Sequence, residues 1–502
     1  MKNSENKVLA VIDIGAHSMR LEIAEISPQQ KIKTLETLSQ PTIPIGRDVF
    51  TKGIIKAENF ALAAKIMKDF AKVMSEYNIS SYRAIATSAV REATNKDIFI
   101  DRIFIESGIK IEALDSSEEI RLIYLSLKNI IRDKINNALI AMIGTGSSHI
   151  CLYQNGLLKK AESFRIGTIR IYEEPGQPLS KSTVVIDDIV DSLSELLLRS
   201  FSEIPPCLIA VGSTPRAMLH IINKSSNREL DILSISDFKQ ISKIAELKKP
   251  EKIASEFTIS DLDAVGLLPC CDILSNLLKI SKADSIYIPE TNTREAIIEE
   301  MLREKTDEDP FTQDIISCAK SLGEKFYYDS KHAETVAKYA LEIFDEMKHI
   351  HRLTEKERLL LHIAAILHDI GQFLNNRQHH KHSYYLIKNS QIPGLSMNDT
   401  EIVAMIARYH RRGLPKKSHP EYMQLESFER VIIAKLAAIL RIADALDRSH
   451  NAKFNKLRIK VENNRIIFSP DTMAMEQTAE ILALKAKSDL FAETYGMKVE
   501  FS

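Results

Sequence analysis

The sequence predicts an α/β fold made of two related halves, followed by an all-helical region and a small α/β segment. Three observations carry this prediction. Residues 8–26 form a strand–turn–strand pattern around a glycine-containing turn, and residues 137–153 repeat it. Beyond about residue 310 the composition shifts to helices and histidine. A chain of 502 residues is long enough for several domains, which we place at 1–132, 133–302, 312–452 and 453–502, with a charged linker at about 300–312.

The first turn is the most informative part of the first half. Residues 8–12 are apolar and predict a buried strand, which ends in Asp13 and is followed by Gly15 and Ser18. The next strand alternates apolar and charged residues up to Ile26. A carboxylate at a strand end, beside a turn with free backbone N–H groups, suits a phosphate group and its metal ion. The alternative is an ordinary β-hairpin.

Two charged side chains farther along the first half are candidates for the same site. Arg91 lies one turn into a short helix, where its guanidinium can face an anion beside the helix N-terminus. A solvated helix arginine is the alternative. Glu119 lies in the first turn of a helix predicted over residues 116–127, where a carboxylate ordinarily complements the helix dipole.

The second half repeats the layout of the first. Its turn contains Gly144, Gly146 and Ser147, and a later strand runs into Gly212 and Ser213. Two such units predict two halves that face each other across a phosphate-binding cleft.

The helical region concentrates histidine, since eleven of the fourteen histidines follow residue 330. One histidine on a helix is more often packed or at the surface than a metal ligand. An ordered set on predicted helices is harder to obtain by chance, and imidazole with carboxylate suits a divalent metal such as Mn²⁺, Fe²⁺ or Mg²⁺. The candidate ligands are His332, His368, Asp369, His382, His410 and Asp444. The last segment predicts a hairpin over residues 457–468, one helix over 479–491 and an edge strand over 497–501.

Composition excludes several classes of protein. The formal net charge of −1 gives no overall field that would favour nucleic acid or a membrane surface as a partner. We expect no membrane span, since no uninterrupted apolar stretch approaches the ~20 residues of a spanning helix. The five cysteines have no CxxC spacing and are odd in number, which indicates a reducing cytoplasm rather than a disulfide framework.

Three segments resemble the exopolyphosphatase/guanosine-pentaphosphate phosphohydrolase (Ppx/GppA) family of the actin-like ATPase superfamily. They are residues 13–21 (DIGAHSMRL), 86–93 (ATSAVREA) and 118–123 (EEIRLI). The C-terminal third resembles the HD-type domain of longer members, because the ligand set follows the H…HD…H…H…D order of the HD phosphohydrolases. The resemblance implies actin-like (ribonuclease H-like) tandem halves, an all-α HD-type domain and a small α/β C-terminal cap.

The resemblance also implies roles for individual residues. Glu119 matches the glutamate that orients the attacking water, with Asp13 and Arg91 beside it. Mg²⁺ is expected in the cleft, and a divalent metal in the HD-type domain. The residues expected to bind phosphate are Gly15, Ser18, Gly144, Gly146, Ser147, Gly212 and Ser213.

The chain departs from the family pattern around the cleft. The family's second loop is DIGGGSxE, and here Met142 takes the aspartate position and His149 the glutamate position. Methionine cannot hold Mg²⁺, which prefers hard oxygen ligands. Cys270 and Cys271 stand at glycine positions of a later turn, where a Cβ would obstruct a close approach to phosphate.

These observations leave three functions open. The first is a phosphoanhydride hydrolase acting on inorganic polyphosphate or guanosine penta- or tetraphosphate. The second is a metal-dependent phosphohydrolase acting through the HD-type domain. The third is a non-catalytic sensor of a phosphorylated ligand, because the second loop has lost its carboxylates. The resemblance also favours a homodimer.

Overall fold

The computed structural model of the protein describes residues 7–29, 31–40, 43–173, 204–223, 228–303, 309–411, 413–454, 457–470 and 478–501. The chain forms two compact units, residues 1–305 and 306–502. Their boundary lies within the linker predicted at about 300–312.

The first sheet carries the first glycine turn. Its five strands are β1 (Lys7–Ile14), β2 (Met19–Ile26), β3 (Ile32–Gln40), β4 (Ser81–Ala86) and β5 (Ile111–Ala113). In the order β3-β2-β1-β4-β5, β1 pairs antiparallel with β2 and parallel with β4. The helices that follow in sequence are α1 (Ile45–Lys52), α2 (Ala57–Glu76), α3 (Ser88–Glu92), α4 (Lys96–Ser107) and α5 (Ser116–Ile131).

Strand β1 is apolar along most of its length because both faces of the sheet are covered. Ile12 shares one hydrophobic cluster with Met67 and Phe70 of α2. On the opposite face Val11 shares a cluster with Ile297. Burial on two faces produces a continuous apolar run instead of an alternating one.

The second sheet repeats this topology and adds an edge strand. Its strands are β6 (Asn137–Ile143), β7 (Ser148–Gln154), β8 (Leu157–Phe164), β9 (Leu208–Val211), β10 (Leu230–Ser234) and β11 (Ser285–Pro289). Their order is β10-β11-β9-β6-β7-β8, in which β6 pairs antiparallel with β7 and parallel with β9. The helices described here are α6 (Thr168–Glu173), α7 (Ser213–Ile221), α8 (Ile235–Leu247), α9 (Pro250–Phe257), α10 (Asp261–Ser281) and α11 (Thr293–Leu302).

The two glycine turns are structurally equivalent, as the sequence repeat predicts. The N–H of Gly15 donates to the carbonyl of Ser18 at 2.9 Å, and the N–H of Gly144 donates to the carbonyl of Ser147 at 3.0 Å. The same spacing therefore closes both hairpins with the same hydrogen bond.

Helix α11 lies within the predicted second half, residues 133–302. It follows the second sheet in sequence, but Ala296, Ile297 and Ile298 pack against the first sheet. The chain thus returns to the first half before the linker.

Helix α10 corrects the expectation for Cys270 and Cys271. Both lie inside a continuous helix that also contains Pro269. Their side chains are fully buried in the hydrophobic core with Leu267 and Leu274. They therefore do not form a turn that approaches phosphate. By length and composition α10 is apolar enough to cross a membrane, a test that the core helix of a globular unit also passes.

Residues 306–502 are mainly helical. The helices are α12 (Thr312–Lys325), α13 (Ser330–Glu346), α14 (Lys348–His351), α15 (Glu355–Leu367), α16 (His379–Lys388), α17 (Met397–Arg408), α18 (Pro420–Met423), α19 (Ser427–Leu446), α20 (Thr478–Lys487) and α21 (Asp489–Tyr495), with a 3₁₀ helix at Ile370–Phe373. Helix α15 begins at a capping box between Thr354 and Glu357.

A three-stranded sheet follows these helices in sequence. Its strands are β12 (Leu457–Glu462), β13 (Arg465–Pro470) and β14 (Lys498–Phe501). The hairpin between β12 and β13 turns at Asn463 and Asn464, both with positive φ, as the asparagine pair predicts. The single helix predicted over residues 479–491 is instead two helices, α20 and α21, separated at Ser488.

Candidate functional site

The first candidate site is a cavity of about 170 Å³ within residues 1–305. Both glycine turns line it, together with the N-terminal part of α7 and the start of α5. It gathers most of the residues predicted for the cleft, namely Asp13, Gly15, Ser18, Glu119, Gly144, Gly146, Ser147, Gly212 and Ser213. The prediction that two repeated turns face one cleft therefore agrees with the structure.

Glu119 faces this cavity from the first turn of α5. The helix begins at Asp115, whose side chain accepts a hydrogen bond from the N–H of Glu118 at 2.8 Å. Oε2 of Glu119 accepts a hydrogen bond from Nη1 of Arg91 at 3.0 Å and lies 3.5 Å from Nε2 of His149. Burial acts to raise the pKa of Glu119, but His149 and then Arg91 outweigh it and lower the pKa to about 2. The carboxylate is therefore ionised at neutral pH and can accept a hydrogen bond from water.

Arg91 lies behind Glu119 instead of lining the cavity. Its Nη1 donates to Glu119 and also to the carbonyl oxygen of Leu114 at 2.8 Å. The structure therefore makes Arg91 a residue that positions Glu119, rather than the direct anion ligand that its place in α3 suggests.

Asp13 lies one residue before the end of β1, beside two arginines. Arg294 of α11 places Nη1 3.6 Å from Oδ2 of Asp13 and donates through Nε to Glu22 at 2.9 Å. Burial raises the pKa of Asp13, while Arg294 and Arg20 act to lower it. Arg20 and Arg294 both line the cavity. Sequence reasoning missed Arg294, because no local motif connects it with a turn 281 residues earlier in the chain.

The cleft keeps only part of the ligand set expected for Mg²⁺. This ion is usually bound through one or two carboxylates together with phosphate oxygens and water. The first turn offers Asp13, and the equivalent position of the second turn is Met142, which also lines the cavity. Among the described residues, the groups of three or more metal-ligating side chains within mutual reach all lie in residues 306–502.

The second candidate site is a histidine–aspartate cluster within residues 306–502. Helix α13 supplies His332, the end of α15 supplies His368 and Asp369, and α19 supplies Asp444. The described residues form three groups of three ligand atoms, within 4.8 Å of one another in each group. Two groups share no residue, namely His332, His368 and Asp444, and Asp369, His379 and His410. The third combines His332, Asp369 and His450.

The distances within the cluster suit metal ligands that converge. Oδ1 of Asp369 lies 3.0 Å from Nε2 of His379 and 3.3 Å from Nε2 of His410. In the other group, Nε2 of His332 lies 3.7 Å from Oδ1 of Asp444. Asp369 also approaches Nε2 of His368 at 3.8 Å, so it links the two groups.

The Nδ1 atoms of these histidines are held by neighbours. Nδ1 of His332 bonds to Oδ2 of Asp447 at 2.8 Å, and Nδ1 of His368 bonds to the carbonyl of Ala365 at 2.8 Å. Nδ1 of His410 bonds to the carbonyl of Ala407 at 2.6 Å. A proton fixed on Nδ1 leaves the Nε2 lone pair for a metal ion.

Buried polar atoms at the cluster also fit a metal ion. Within the described part of the chain, Nε2 of His332 and Nε2 of His368 are buried without a hydrogen-bond partner. Burial lowers the pKa of His368 to about 4, so its imidazole is neutral at pH 7, as metal binding requires. The residues present therefore fit a divalent ion.

One predicted ligand, His382, lies outside the groups of converging ligand atoms. His382 is half-buried, and His379, three residues earlier, faces Asp369 instead. Helix α16 begins at His379, so its first residue points to the cluster. The run from His379 to His382 contains three histidines, and spacing alone could not choose among them.

Two further residues of the cluster were missed. Asp447 is buried against His332, one turn beyond the predicted Asp444 on the same chain segment. The ring of His450 stacks on that of His332 with centroids 3.7 Å apart. Neither residue belongs to the H…HD…H…H…D order, so the motif gave no signal for them.

Cationic side chains line the cavity beside the cluster. It has a volume of about 340 Å³, and Arg411, Arg448 and Lys487 line it together with the metal-ligating residues. Nζ of Lys487 donates to Oδ2 of Asp444. A pocket that combines metal ligands with cationic side chains suits a phosphate group.

Comparison with protein families identifies both units. The Ppx/GppA phosphatase family matches residues 23–305, and domain III of the Ppx/GppA phosphatases matches residues 316–489. The second match spans the predicted HD-type domain and much of the predicted cap. It describes them together as domain III, so the separate HD-type name has no support from the comparison.

Similar proteins extend over most of the chain. A guanosine-5'-triphosphate,3'-diphosphate pyrophosphatase of Photobacterium profundum is 21% identical over 93% of this chain and 92% of its own. The protein of the same name from Pseudoalteromonas translucida is 24% identical over 88% and 87%. A bifunctional 3-dehydroquinate synthase/phosphatase of Fusobacterium nucleatum is 34% identical over 34% of this chain and 27% of its own.

Two solved structures share the fold. An exopolyphosphatase from Cytophaga hutchinsonii aligns with a TM-score of 0.52 at 23% identity, over 59% of this chain and 98% of that one. The Ppx/GppA family member of Aquifex aeolicus aligns with a TM-score of 0.50 at 20% identity, over 60% of this chain and 100% of that one. These likenesses establish the actin-like fold with its mixed sheets.

Proposed function

Because the chain belongs to the Ppx/GppA phosphatase family, we propose that it hydrolyses a phosphoanhydride bond in inorganic polyphosphate or guanosine pentaphosphate. The observation that carries this proposal is the cavity of residues 1–305, where two equivalent glycine turns face Glu119. The names of the relatives support the substrate class, since they include guanosine-5'-triphosphate,3'-diphosphate pyrophosphatases and an exopolyphosphatase.

The cleft can perform the two tasks that phosphoanhydride hydrolysis requires. The first is neutralising the phosphate charge, for which Arg20 and Arg294 line the cavity. The second is placing a water molecule in line with the bond to be broken. Glu119, ionised and held by Arg91, accepts a hydrogen bond from that water. The water oxygen then bonds to the terminal phosphorus as the bridging P–O bond breaks. The shortened chain leaves with the bridging oxygen, and the proton lost by the water passes to a phosphate oxygen or to solvent.

Phosphate release from guanosine pentaphosphate and long-chain polyphosphate tests this proposal. Glu119→Ala is expected to lose about 10²–10⁴-fold in rate, the usual contribution of a positioned acid or base. His220→Gln is the control, because His220 is exposed on α7 and lies outside the cavity lining. Full activity in Glu119→Ala would refute the assignment.

We propose the cluster of residues 306–502 as a second, HD-type site that acts on a phosphate ester or anhydride through a divalent metal. The supporting observation is the two groups of ligand atoms with Nδ1 positions fixed by neighbours. His332, His368 and Asp444 would hold one ion, and Asp369, His379 and His410 a second. A bound ion would polarise a phosphoryl oxygen and lower the pKa of a bound water. Arg411, Arg448 and Lys487 would hold the phosphate.

Metal content separates this second site from the first. The purified protein is expected to bind Mn²⁺, Fe²⁺ or Mg²⁺, and the double variant His368→Ala/Asp369→Ala to lose it. If the metal is lost while phosphate release is unchanged, the reaction belongs to the cleft. If neither wild-type site releases phosphate but a ligand still binds, the protein is a sensor.

A further inference from the structure

We propose that the exposed rings of Tyr327 and Phe373 stack on the base of a nucleoside phosphate, whose phosphate groups enter the cavity beside the histidine cluster. These two rings are called the aromatic platform below. The inference rests on the function proposed for this second site, which supplies the phosphate end of the ligand. It adds the class of ligand, a nucleotide instead of a chain of phosphates alone.

The aromatic platform is an exposed apolar surface. Tyr327 is 85% exposed, the highest fraction among the large hydrophobic side chains that the structure describes, and Phe373 is 51% exposed. The two rings lie nearly parallel, with centroids 6.0 Å apart and 16° between their planes. The half-buried ring of Phe326 packs against Phe373 with centroids 5.5 Å apart and helps to hold it. Two parallel rings at the surface offer faces on which a further aromatic ring can stack.

The backbone at Tyr327 indicates that the ring has a use beyond folding. Tyr327 lies two residues after the end of α12, with a φ of +50°. Glycine is usual at such a position, because it adopts the left-handed region without strain, whereas tyrosine does so at a cost in free energy. Since the ring is largely in solvent, packing offsets little of this cost. A ligand for the ring would account for a tyrosine here.

Both rings of the platform lie close to the cavity in the chain. Phe373 directly follows Gln372, which lines the cavity, and consecutive Cα atoms are about 3.8 Å apart. Tyr327 is two residues before Asp329, whose Oδ2 lies 3.0 Å from Nδ1 of His450. His450 lines the cavity as well. A ligand that carries both a ring and phosphate groups can therefore contact the platform and the cavity together.

The cavity and the platform match the two parts of a nucleotide. Arg411, Arg448 and Lys487 line the cavity and suit phosphate groups. Aromatic side chains suit the base, because every base has a π-face. The amide side chains of Gln372 and Asn376 also line the cavity and can both donate and accept hydrogen bonds at the polar edge of a base. Inorganic polyphosphate has no ring to stack, so the platform favours a nucleoside phosphate.

The test uses tryptophan as a local reporter, since the chain contains none. Tyr327→Trp and Phe373→Trp, each made in the full chain, place a single indole in the platform. Guanosine pentaphosphate in Mg²⁺ is expected to quench the indole emission saturably, because a stacked base quenches indole. Tripolyphosphate has no base, so it should not quench the emission, but it should compete with the nucleotide for the cavity.

Phe428→Trp is the matched control. Phe428 is 64% exposed and lies in the first turn of α19, sixteen residues before Asp444, or about 24 Å along the helix. Its emission should not respond to either ligand. The inference is overturned by equal quenching in this control, by no quenching at either platform position, or by quenching that tripolyphosphate does not reduce. Emission that changes with protein concentration alone would make the platform an interface between copies of the chain, which also overturns it.

Removal of the tyrosine ring gives the second arm. Tyr327→Gly relieves the positive φ, so the free energy of unfolding should not fall. In the Phe373→Trp background we expect it to weaken nucleotide binding by about 5–100-fold, the effect of losing one stacking partner of a base. Competition by tripolyphosphate should keep its affinity, and Phe428→Ala in the same background should bind the nucleotide as the parent does. Unchanged nucleotide affinity in Tyr327→Gly overturns the role of the platform.

The outcome is separable from that of the proposed function. Quenching without metal-dependent phosphate release leaves this inference standing and removes the hydrolase from the second site. Phosphate release that is lost in His368→Ala/Asp369→Ala, without quenching at the platform, does the reverse.

Discussion

Replacing Glu119 by glutamine should destabilise residues 1–305 in a way that depends on pH. His149 and Arg91, working against burial, lower the pKa of this carboxyl from 4.5 to about 2. Because the pKa is lower in the folded state, the ionised carboxylate stabilises the fold above about pH 4.5. That contribution is lost as pH falls from about 4.5 to about 2.

The lowered pKa of Glu119 corresponds to about 3 kcal/mol of unfolding free energy at pH 7, since one pKa unit is about 1.4 kcal/mol. The side chain of Glu119 is 12% exposed, so solvent only weakly screens its interactions with His149 and Arg91. Glu119→Gln should therefore lose about 2–3 kcal/mol of unfolding free energy at pH 7. The difference from wild type should shrink as the pH approaches 2.

Urea unfolding followed by circular dichroism at several pH values measures this loss. Glu58→Gln is the matched control, because Glu58 also lies in the first turn of a helix, α2, but is exposed. Interaction with the helix dipole alone contributes about 0.3–1 kcal/mol. If Glu119→Gln loses no more than Glu58→Gln, then Glu119 only complements its helix and the reasoning about the pair with His149 is refuted.

Three further predictions follow from the geometry. Asp447→Asn should weaken Mn²⁺ binding by about 10–100-fold in equilibrium dialysis, because the Asp447 carboxylate orients the imidazole of His332. Unchanged affinity would show that this hydrogen bond does not orient a metal ligand. His379→Ala should lose metal measured by mass spectrometry while His382→Ala keeps it, and the opposite result would restore the order expected from the motif. Gly212→Ala should lower the unfolding free energy by about 1–3 kcal/mol more than Gly156→Ala. Both glycines have positive φ, but only a Cβ added at Gly212 would meet a carbonyl oxygen of β6, at 2.4 Å. Equal losses of unfolding free energy in the two variants would show that the backbone at Gly212 shifts without cost to accommodate the added methyl group.

The elements that the sequence predicts well are those set by local pattern. The two glycine turns, the strands beside them and the asparagine hairpin each follow from periodicity and turn chemistry over a few residues. Asp13 and Glu119 line one cavity, as expected, because each lies at a fixed place relative to a strand end or a helix start.

The features that sequence reasoning missed depend on contacts between distant segments. Arg294 reaches Asp13 only because α11 returns to the first sheet. Cys270 and Cys271 were placed at a turn by alignment with the family, but the run of apolar residues around them continues a core helix. His379 was passed over for His382 because the orientation of a residue on a helix depends on where that helix begins.

The most direct test of the account is phosphate release from guanosine pentaphosphate by three proteins measured side by side. These are wild type, Glu119→Gln and His368→Ala/Asp369→Ala. Glu119→Gln is expected to lose at least about a hundredfold in rate, while the double variant retains activity because the cleft performs the reaction. Loss of activity in the double variant alone would contradict this assignment and move the chemistry to the histidine cluster of residues 306–502.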